Sequence, residues 1–400
     1  MSMPFQLSPP AEGRVDLLIV AGEHSGDEHG ARMVRELRAK QPGLVIAALG
    51  GPGLAAAGVQ LLHDMTATSV VGFVEVLKNY PFFRQLFNET LRWIGEHRPK
   101  AVCFVDYPGL NLRLAAALRE RGLSVKGGGP IRTLYYISPQ IWAWKAKRRF
   151  TMARDLDAMA VIFPFEVGCY ADTTLPVEFV GHPFVAPGHI APVRHDPAGP
   201  VLLLPGSRKQ AVARIFPALL EGFRAFGGRE AVVLYPSEEI LTVLRGANPP
   251  AKVRLQRISE GEARPLGAPG DSGLSSGPSL PSLGASAVLT SSGTMSMHCA
   301  LAAIPGAIAY RTNPLTYVLG RMLVKVDYIG IANLLLKEPM YPEFIQGAAT
   351  SSALAAELRA CRDDPARRAR TAAQAERLRA LLSQPAGGTA ADWLARQLRL

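Results

Sequence analysis

No window of this chain approaches the roughly 20 uninterrupted apolar residues that a membrane span requires. Residues 1–13 have no basic stretch followed by an apolar block, so no secretory signal is expected. Cysteine is scarce. Cys103, Cys169, Cys299 and Cys361 are scattered, with neither a Cys-x-x-Cys pair nor metal-ligand spacing. That excludes a disulfide framework and predicts buried thiols in a reducing, cytoplasmic compartment. Acidic residues are outnumbered, 33 Asp and Glu against 44 Lys and Arg, for a formal net charge of +11. Such a surplus suits nucleic acid, anionic headgroups or phosphorylated small substrates. Aromatic residues are not interleaved with the charge and no nucleic-acid motif accompanies it, which argues against nucleic acid. The Arg excess also fits a high-GC genome, to which the Ala, Gly and Pro content points as well.

What is present is a long alternation of short apolar runs and helical periodicities. Runs at 15–20, 45–49, 101–105, 134–137 and 159–163 each end in small or polar residues. Ala31, Val34 and Leu37 recur at helical spacing after the first run, and 112–118 does so after the third. This pattern predicts an α/β fold, an open parallel sheet with crossover helices. Ligands sit at the carboxyl ends of strands in such sheets, where Glu23, Asp27 and Asp106 fall. Residues 179–200, rich in Pro, Gly and His, read as a linker. A second alternating series begins at 201 and includes 231–235, 287–289 and 304–310. Residues 261–283 are dominated by Gly, Ser and Pro and read as a loop insertion. The expected domains are 14–182 and 199–365, with a charged helical segment, 366–400, packing back on the first. Four hundred residues, 48% of them hydrophobic, suffice for two such cores.

Two turns in the second series carry the chemistry most directly. Leu204-Pro205-Gly206-Ser207-Arg208 and Ser291-Ser292-Gly293-Thr294 each follow an apolar run and open into a helical pattern. Strand, small-residue turn and helix aim free backbone N–H groups at an anion. Arg208 adds a planar donor suited to phosphate oxygens. Either turn alone reads as an ordinary strand-to-helix connection; the pair with Arg208 points to a diphosphate-bearing nucleotide.

Ten short motifs stand in order along the chain. They are Ala21-Gly22-Glu23-His24-Ser25-Gly26-Asp27, Gly72-Phe73-Val74-Glu75-Val76, Asp106-Tyr107-Pro108-Gly109-Leu110-Asn111 and Ser138-Pro139-Gln140-Ile141-Trp142-Ala143-Trp144. Phe163-Pro164-Phe165-Glu166, Val180-Gly181-His182-Pro183, the two turns above, Tyr310-Arg311 and Pro342-Glu343-Phe344-Ile345-Gln346 follow. From about residue 14 to the end, the chain resembles the lipid-A-disaccharide synthase family. The resemblance implies an inverting GT-B glycosyltransferase, with two Rossmann-like doubly wound domains facing across a cleft. The first would hold the acceptor and the second the UDP-sugar. The implied donor is UDP-2,3-diacylglucosamine, and the implied acceptor is 2,3-diacylglucosamine 1-phosphate (lipid X). The products would be a β-1,6-linked disaccharide 1-phosphate and UDP. Anionic, acylated substrates fit a basic enzyme held peripherally at the inner membrane, and a homodimer is a possible assembly.

Inverting transfer needs a base, stabilisation of an oxocarbenium-like centre and charge relief for the leaving diphosphate. Asp106 is the expected base, although Asp before Pro also commonly caps a turn. Glu23 and Asp27 could orient the acceptor or replace Asp106, or cap the first helix. Ser25 and Gly26 allow close approach at that turn. Ser207, Arg208, Ser292, Gly293 and Thr294 are expected on the donor phosphates, helped by the partial positive charge of helix N-termini. That removes the need for a metal, and no Asp-x-Asp pair stands where a metal-dependent transferase would want one. No cofactor is implied. Arg311, Asn333, Glu343 and Gln346 fall in family motifs as donor contacts, with helix capping an alternative for the last two. His182 reads as structural.

Trp142 and Trp144, next to Ile141, Lys145, Lys147, Arg148 and Arg149, suit an interface with headgroups and acyl chains. Phe73, Val74, Val76, Leu77, Tyr80, Phe82, Phe83 and Phe87 form a second apolar stretch. Core and solvated face is the plainer account of both. Two positions depart from the family pattern: Ala211 and His298 stand where Glu is usual. A carboxylate at the latter would accept two ribose hydroxyls, which one neutral imidazole cannot do. Two other readings therefore stay open, a non-catalytic paralogue that binds a nucleotide sugar or lipid, and a UDP-sugar enzyme of other specificity such as an epimerase.

Overall fold

The structure is a computed structural model and describes residues 5–66, 80–258, 282–313, 317 and 326–399. Two compact units emerge, Met1–Ala186 with Leu382–Leu400, and Pro187–Leu381. The tail expected over 366–400 is split between them. Helix Pro365–Leu382 lies almost wholly in the second unit, where buried Arg367 donates to the Gly306 and Met340 carbonyls and pairs with Glu357. Helix Ala390–Leu398 belongs to the first unit and packs on helix His24–Lys40, with a Lys40–Asp392 ion pair between them.

Seven strands form the sheet of the first unit: β1 Leu17–Ala21, β2 Ile46–Gly50, β3 Gln60–Asp64, β4 Ala101–Val105, β5 Arg132–Tyr136, β6 Ala158–Val161 and β7 Val177–Phe179. Their order is β3-β2-β1-β4-β5-β6-β7, and the pairings are parallel. Every residue of β1 and β4 is buried, which is why LLIVA and AVCFV read as continuous apolar runs. A parallel sheet covered on both faces requires that. Trp93, Phe104 and Tyr135 fill the core. The order reverses between β1 and β4, so the loops after these two strands diverge and leave a crevice at their carboxyl ends.

The second unit repeats the plan. Its strands are β8 Val193–His195, β9 Val201–Leu204, β10 Ala231–Tyr235, β11 Val253–Arg257, β12 Leu283–Ala285, β13 Ala287–Thr290, β14 Gly306–Tyr310 and β15 Glu343–Ile345. Six form a sheet in the order β11-β10-β9-β13-β14-β15, and β8 pairs with β12 alongside. The reversal lies between β9 and β13, the strands that precede the two small-residue turns. Helices Lys209–Phe226 and Ser351–Asp363 pack so closely that a Cβ at Gly222 would stand 2.7 Å from that of Leu354.

Among the described residues no helix is long and apolar enough to cross a membrane. All four cysteines are free; Cys103, Cys299 and Cys361 are buried as expected, whereas Cys169 is only half-buried. Phe73, Val74, Val76, Leu77 and most of the 261–283 insertion lie outside the described residues, as does the Tyr80 side chain.

Candidate functional site

In the first unit the site grows from the reversal point. Asp106 follows β4 directly, and Asp106 and Tyr107 both take left-handed backbone conformations, φ 47° and 49°. Two consecutive non-glycine residues there cost about 1–3 kcal/mol each and persist only when the surroundings over-determine them. The determinants are visible. Asp106 N donates to Tyr136 O at 3.0 Å. Asp106 O accepts from the Tyr135 hydroxyl at 2.6 Å and from Asn111 Nδ2 at 2.7 Å. Both donors are buried, so the half-buried Asp106 side chain is presented from a fixed backbone.

Gly22, at the end of β1, is required by its neighbour: a Cβ there would sit 2.1 Å from the Tyr107 ring. Burial raises the Tyr107 hydroxyl's pKa, and the nearby Glu23 carboxylate adds to the effect. Glu23 and the Asp106–Tyr107 turn therefore share one crevice. Ser25 is half-buried and Gly26 buried in the first turn of helix His24–Lys40. A Cβ at Gly26 would make only ordinary contact, 3.5 Å from Val105 O.

Asp27 is engaged by backbone. Its buried carboxylate accepts from Gly51 N at 2.7 Å, Gly53 N at 2.8 Å and Leu54 N at 3.1 Å. It thus caps helix Pro52–Ala56 from the neighbouring helix, with both oxygens accepting from backbone N–H groups. Asp27 is an anchor.

The ends of β5 and β6 contribute residues that sequence reasoning passed over. Glu166, on the short 3-10 helix Pro164–Tyr170, is 1% exposed. Its Oε1 accepts from Trp142 Nε1 at 3.3 Å and its Oε2 from Phe163 N at 3.2 Å. Burial pushes its carboxyl up to about 8, and Asp106 pushes the same way. Glu166 stood in a quoted motif without a role; its place just past a strand end was the available signal. His182 is buried, with Nδ1 accepting from Phe184 N at 3.2 Å and its ring 5.2 Å from that of Phe163, in keeping with a structural part.

The surface near these strand ends is aromatic and basic. Trp144 is 41% exposed and Phe150 49%. Lys145 Nζ lies 4.4 Å from the Trp144 ring centre and Arg148 Cζ 5.6 Å. Arg149, by contrast, is held by Asp172 through two hydrogen bonds of 2.7 and 2.6 Å. Trp142 packs edge-on against Phe165 at 5.5 Å.

In the second unit the two turns lie side by side. Ser291 N donates to Leu204 O at 2.8 Å. Gly206 has φ 109°, and a Cβ there would meet Ser291 Oγ at 3.1 Å, so glycine suits this position twice over. Ser207, Arg208, Gly293 and Thr294 are exposed and Ser292 half-exposed, at the starts of helices Lys209–Phe226 and Thr294–Leu301. His298 is 9% exposed, stacked on His189 at 5.3 Å and 12°.

The other expected donor contacts are tied into the protein. Glu343 accepts from Ile329 N, Gly330 N and Asn333 Nδ2 at 2.9–3.1 Å. Asn333, fully buried, exchanges two bonds with the Tyr341 backbone. Gln346 brackets Thr312 through its N and O, and Arg311 donates to Ala349 O at 2.7 Å. For Asn333, Glu343 and Gln346 the polar atoms bond to the chain itself.

Solved structures share the architecture. Spinosyn forosaminyltransferase superposes with a TM-score of 0.56, at 12% identity over 96% of this chain and 98% of its own. UDP-GlcNAc 2-epimerase from Neisseria meningitidis, bound to UDP-GlcNAc, matches with a TM-score of 0.56 at 10% identity, covering 96% and 100%. At such identities the likeness concerns fold alone, and that fold is GT-B, the two-unit α/β architecture of many glycosyltransferases. Sequence comparison goes further. The model of the lipid-A-disaccharide synthetase family matches residues 17–225 and 276–395. The lipid-A-disaccharide synthase of Geobacter sulfurreducens is 37% identical over 364 residues, 88% of each chain. The chain belongs to the lipid-A-disaccharide synthase family, and is thereby a glycosyltransferase of lipid A biosynthesis.

Proposed function

We propose that the enzyme transfers a 2,3-diacylglucosaminyl group from UDP to the 6-hydroxyl of 2,3-diacylglucosamine 1-phosphate, with inversion. In this reading the first unit binds the acceptor, and the Asp106 carboxylate takes the hydroxyl proton as the oxygen attacks the anomeric carbon. The bond to the diphosphate breaks and its electron pair leaves on UDP. Glu23 orients the acceptor sugar from the neighbouring loop. In the second unit, Arg208 and the N–H groups of the two turns take up the developing phosphate charge. The Trp144, Lys145 and Arg148 surface keeps the protein at an anionic bilayer, where acylated substrates reside.

The observation that carries the reading is Asp106 itself: a carboxylate at the reversal point of the sheet, held in a costly backbone conformation by two buried donors. The test is one assay in detergent, without added metal, following UDP release and disaccharide formation from the two named substrates. Disaccharide from the native protein, lost in Asp106→Asn and Arg208→Ala variants that still fold, supports it. Folded native protein that neither turns over nor binds the donor makes His298 and Ala211 marks of a non-catalytic paralogue.

A further inference from the structure

The reversal of strand order between β1 and β4 sends the two loops that follow them apart, and one side chain spans their origins. Asn111 stands in the first turn of helix Pro108–Glu120, its N–H on the Tyr107 carbonyl at 3.2 Å. Its side chain turns back to the strand ends. Nδ2 lies 2.7 Å from Asp106 O and 3.3 Å from both Val105 O and Val20 O. Carbonyl oxygens only accept, so the amide nitrogen and not the amide oxygen faces these three. It has two protons for three acceptors. One serves Asp106; the other is shared between Val105 on β4 and Val20 on β1, a three-centre bond that bridges the two strands.

The opposite end of the amide is buried, and Oδ1 meets no donor among the described residues. A buried acceptor in that state offsets much of what the donated bonds contribute to stability. The net gift of the amide is geometry. Tyr107 closes the same gap from the other side, its ring so near Gly22 that a Cβ there would stand 2.1 Å from it. Glu23 follows Gly22 and Asp106 precedes Tyr107, so these contacts fix the backbones of the two carboxylates relative to each other.

We propose that Asn111 is a positioning residue for the transfer: it holds the Glu23 and Asp106 loops at one separation, so that a sugar hydroxyl oriented by the first is presented to the second. This rests on the reading of Asp106 as the base and of Glu23 as the group that orients the acceptor.

Asn111→Leu tests it, because it keeps the volume of the side chain while removing both its donors and its unmatched oxygen. The melting temperature should stay within about 3 °C of native. Nonetheless kcat should fall about thirtyfold, as a misplaced base demands. The KM for the UDP donor, assigned to the other unit, should stay within about twofold. Asn111→Ala takes the place of Asn111→Leu should the larger side chain prevent folding. A second arm combines the substitution with Glu23→Gln. That variant has already forfeited part of the arrangement, so adding Asn111→Leu should cost only about threefold more. Native kcat in Asn111→Leu overturns the proposal, as does an equal loss in both backgrounds. Failure of both Asn111 variants to fold would make the amide a requirement of the fold and overturn it too. Asp106→Asn is measured alongside. Should it keep native kcat, the reading of the base fails; should it lose activity while Asn111→Leu does not, the positioning role alone fails.

Discussion

The Tyr135 hydroxyl donates to the Asp106 carbonyl at 2.6 Å, so the next strand of the sheet holds the backbone of the residue we assign as base. Tyr135→Phe leaves that carbonyl with Asn111 as its side-chain donor. The expected cost is about 1–2 kcal/mol of stability, the usual price of a buried acceptor losing a donor. Relaxation of the Asp106–Tyr107 turn should also lower kcat about tenfold with little change in donor KM. Denaturant melts and steady-state kinetics measured together check this. A variant that is destabilised but has native kcat would mean that Asp106 does not depend on its backbone setting.

Asp27 separates anchoring from chemistry. Asp27→Ala leaves the N–H groups of Gly51, Gly53 and Leu54 without their carboxylate, and should cost about 3 kcal/mol or more. What remains folded at low temperature should keep kcat within about tenfold, whereas Asp106→Asn should lose at least about a hundredfold at native stability. Loss of activity in an Asp27 variant with unaltered melting would return Asp27 to the chemistry.

Arg208 makes the opposite prediction. It is exposed at the start of helix Lys209–Phe226, so Arg208→Ala should leave the melting temperature within about a degree. It should nonetheless lower kcat/KM for the UDP donor about a hundredfold, the worth of a charge-assisted contact to phosphate. Arg208→Lys should recover little, because a point charge does not reproduce the planar fork. Full recovery by Lys would show that only net charge is needed.

The central strands were legible because a sheet covered on both faces writes itself as apolar runs such as those of β1 and β4, whereas the partly exposed β3, β7, β8, β11, β12 and β15 carry no such run and were missed. The two small-residue turns at the starts of helices Lys209–Phe226 and Thr294–Leu301 were legible for the same reason, since each follows such a run. The reversal points were not legible in composition or periodicity, because strand order is a property of pairing between distant segments. The backbone partners of Asp27 escaped through the same gap: they lie more than twenty residues on, beyond the reach of any local pattern. Asn333 and Glu343 were expected as donor contacts because they fall in family motifs, and a motif does not show that their polar atoms bond to the Tyr341 backbone and to Ile329 N and Gly330 N. The tail over 366–400 looked uniform, yet Arg367 ties its first helix to the second unit while Asp392 joins the last to Lys40.

The aromatic and basic surface yields a prediction about location. Trp144 and Phe150 are exposed, and Lys145 and Arg148 lie over the Trp144 ring. Binding to vesicles containing anionic phospholipid should exceed binding to neutral ones and weaken with salt. Removing both cations in Lys145→Ala/Arg148→Ala should cost about 2 kcal/mol, roughly thirtyfold in partitioning, at about 1 kcal/mol per charge. Trp144→Ala should weaken what salt does not. Equal binding to neutral and anionic vesicles would show that this face is merely solvated.

Glu166 also leaves a signature in stability against pH. Its carboxyl lies at about 8 in the folded protein against an ordinary 4.5, with burial the main cause. Between those values the unfolded chain has released the proton and the native state retains it, so stability falls as pH rises. Above about 8 both states have lost it and the contribution is flat; below 4.5 both retain it. At about 1.4 kcal/mol for each tenfold in proton affinity, the full span is up to about 5 kcal/mol. Glu166→Gln removes this titration, though its amide nitrogen must then face one of two N–H donors, so absolute stabilities of the two proteins are not comparable. The slopes are. From about pH 5 to about pH 8 the native protein should lose unfolding free energy relative to Glu166→Gln, and the two curves should run parallel beyond. Urea melts across that interval read the difference directly. Parallel curves throughout would mean that Glu166 ionises in the folded protein at an ordinary pH, and that the N–H groups of Trp142 and Phe163 hold a carboxylate.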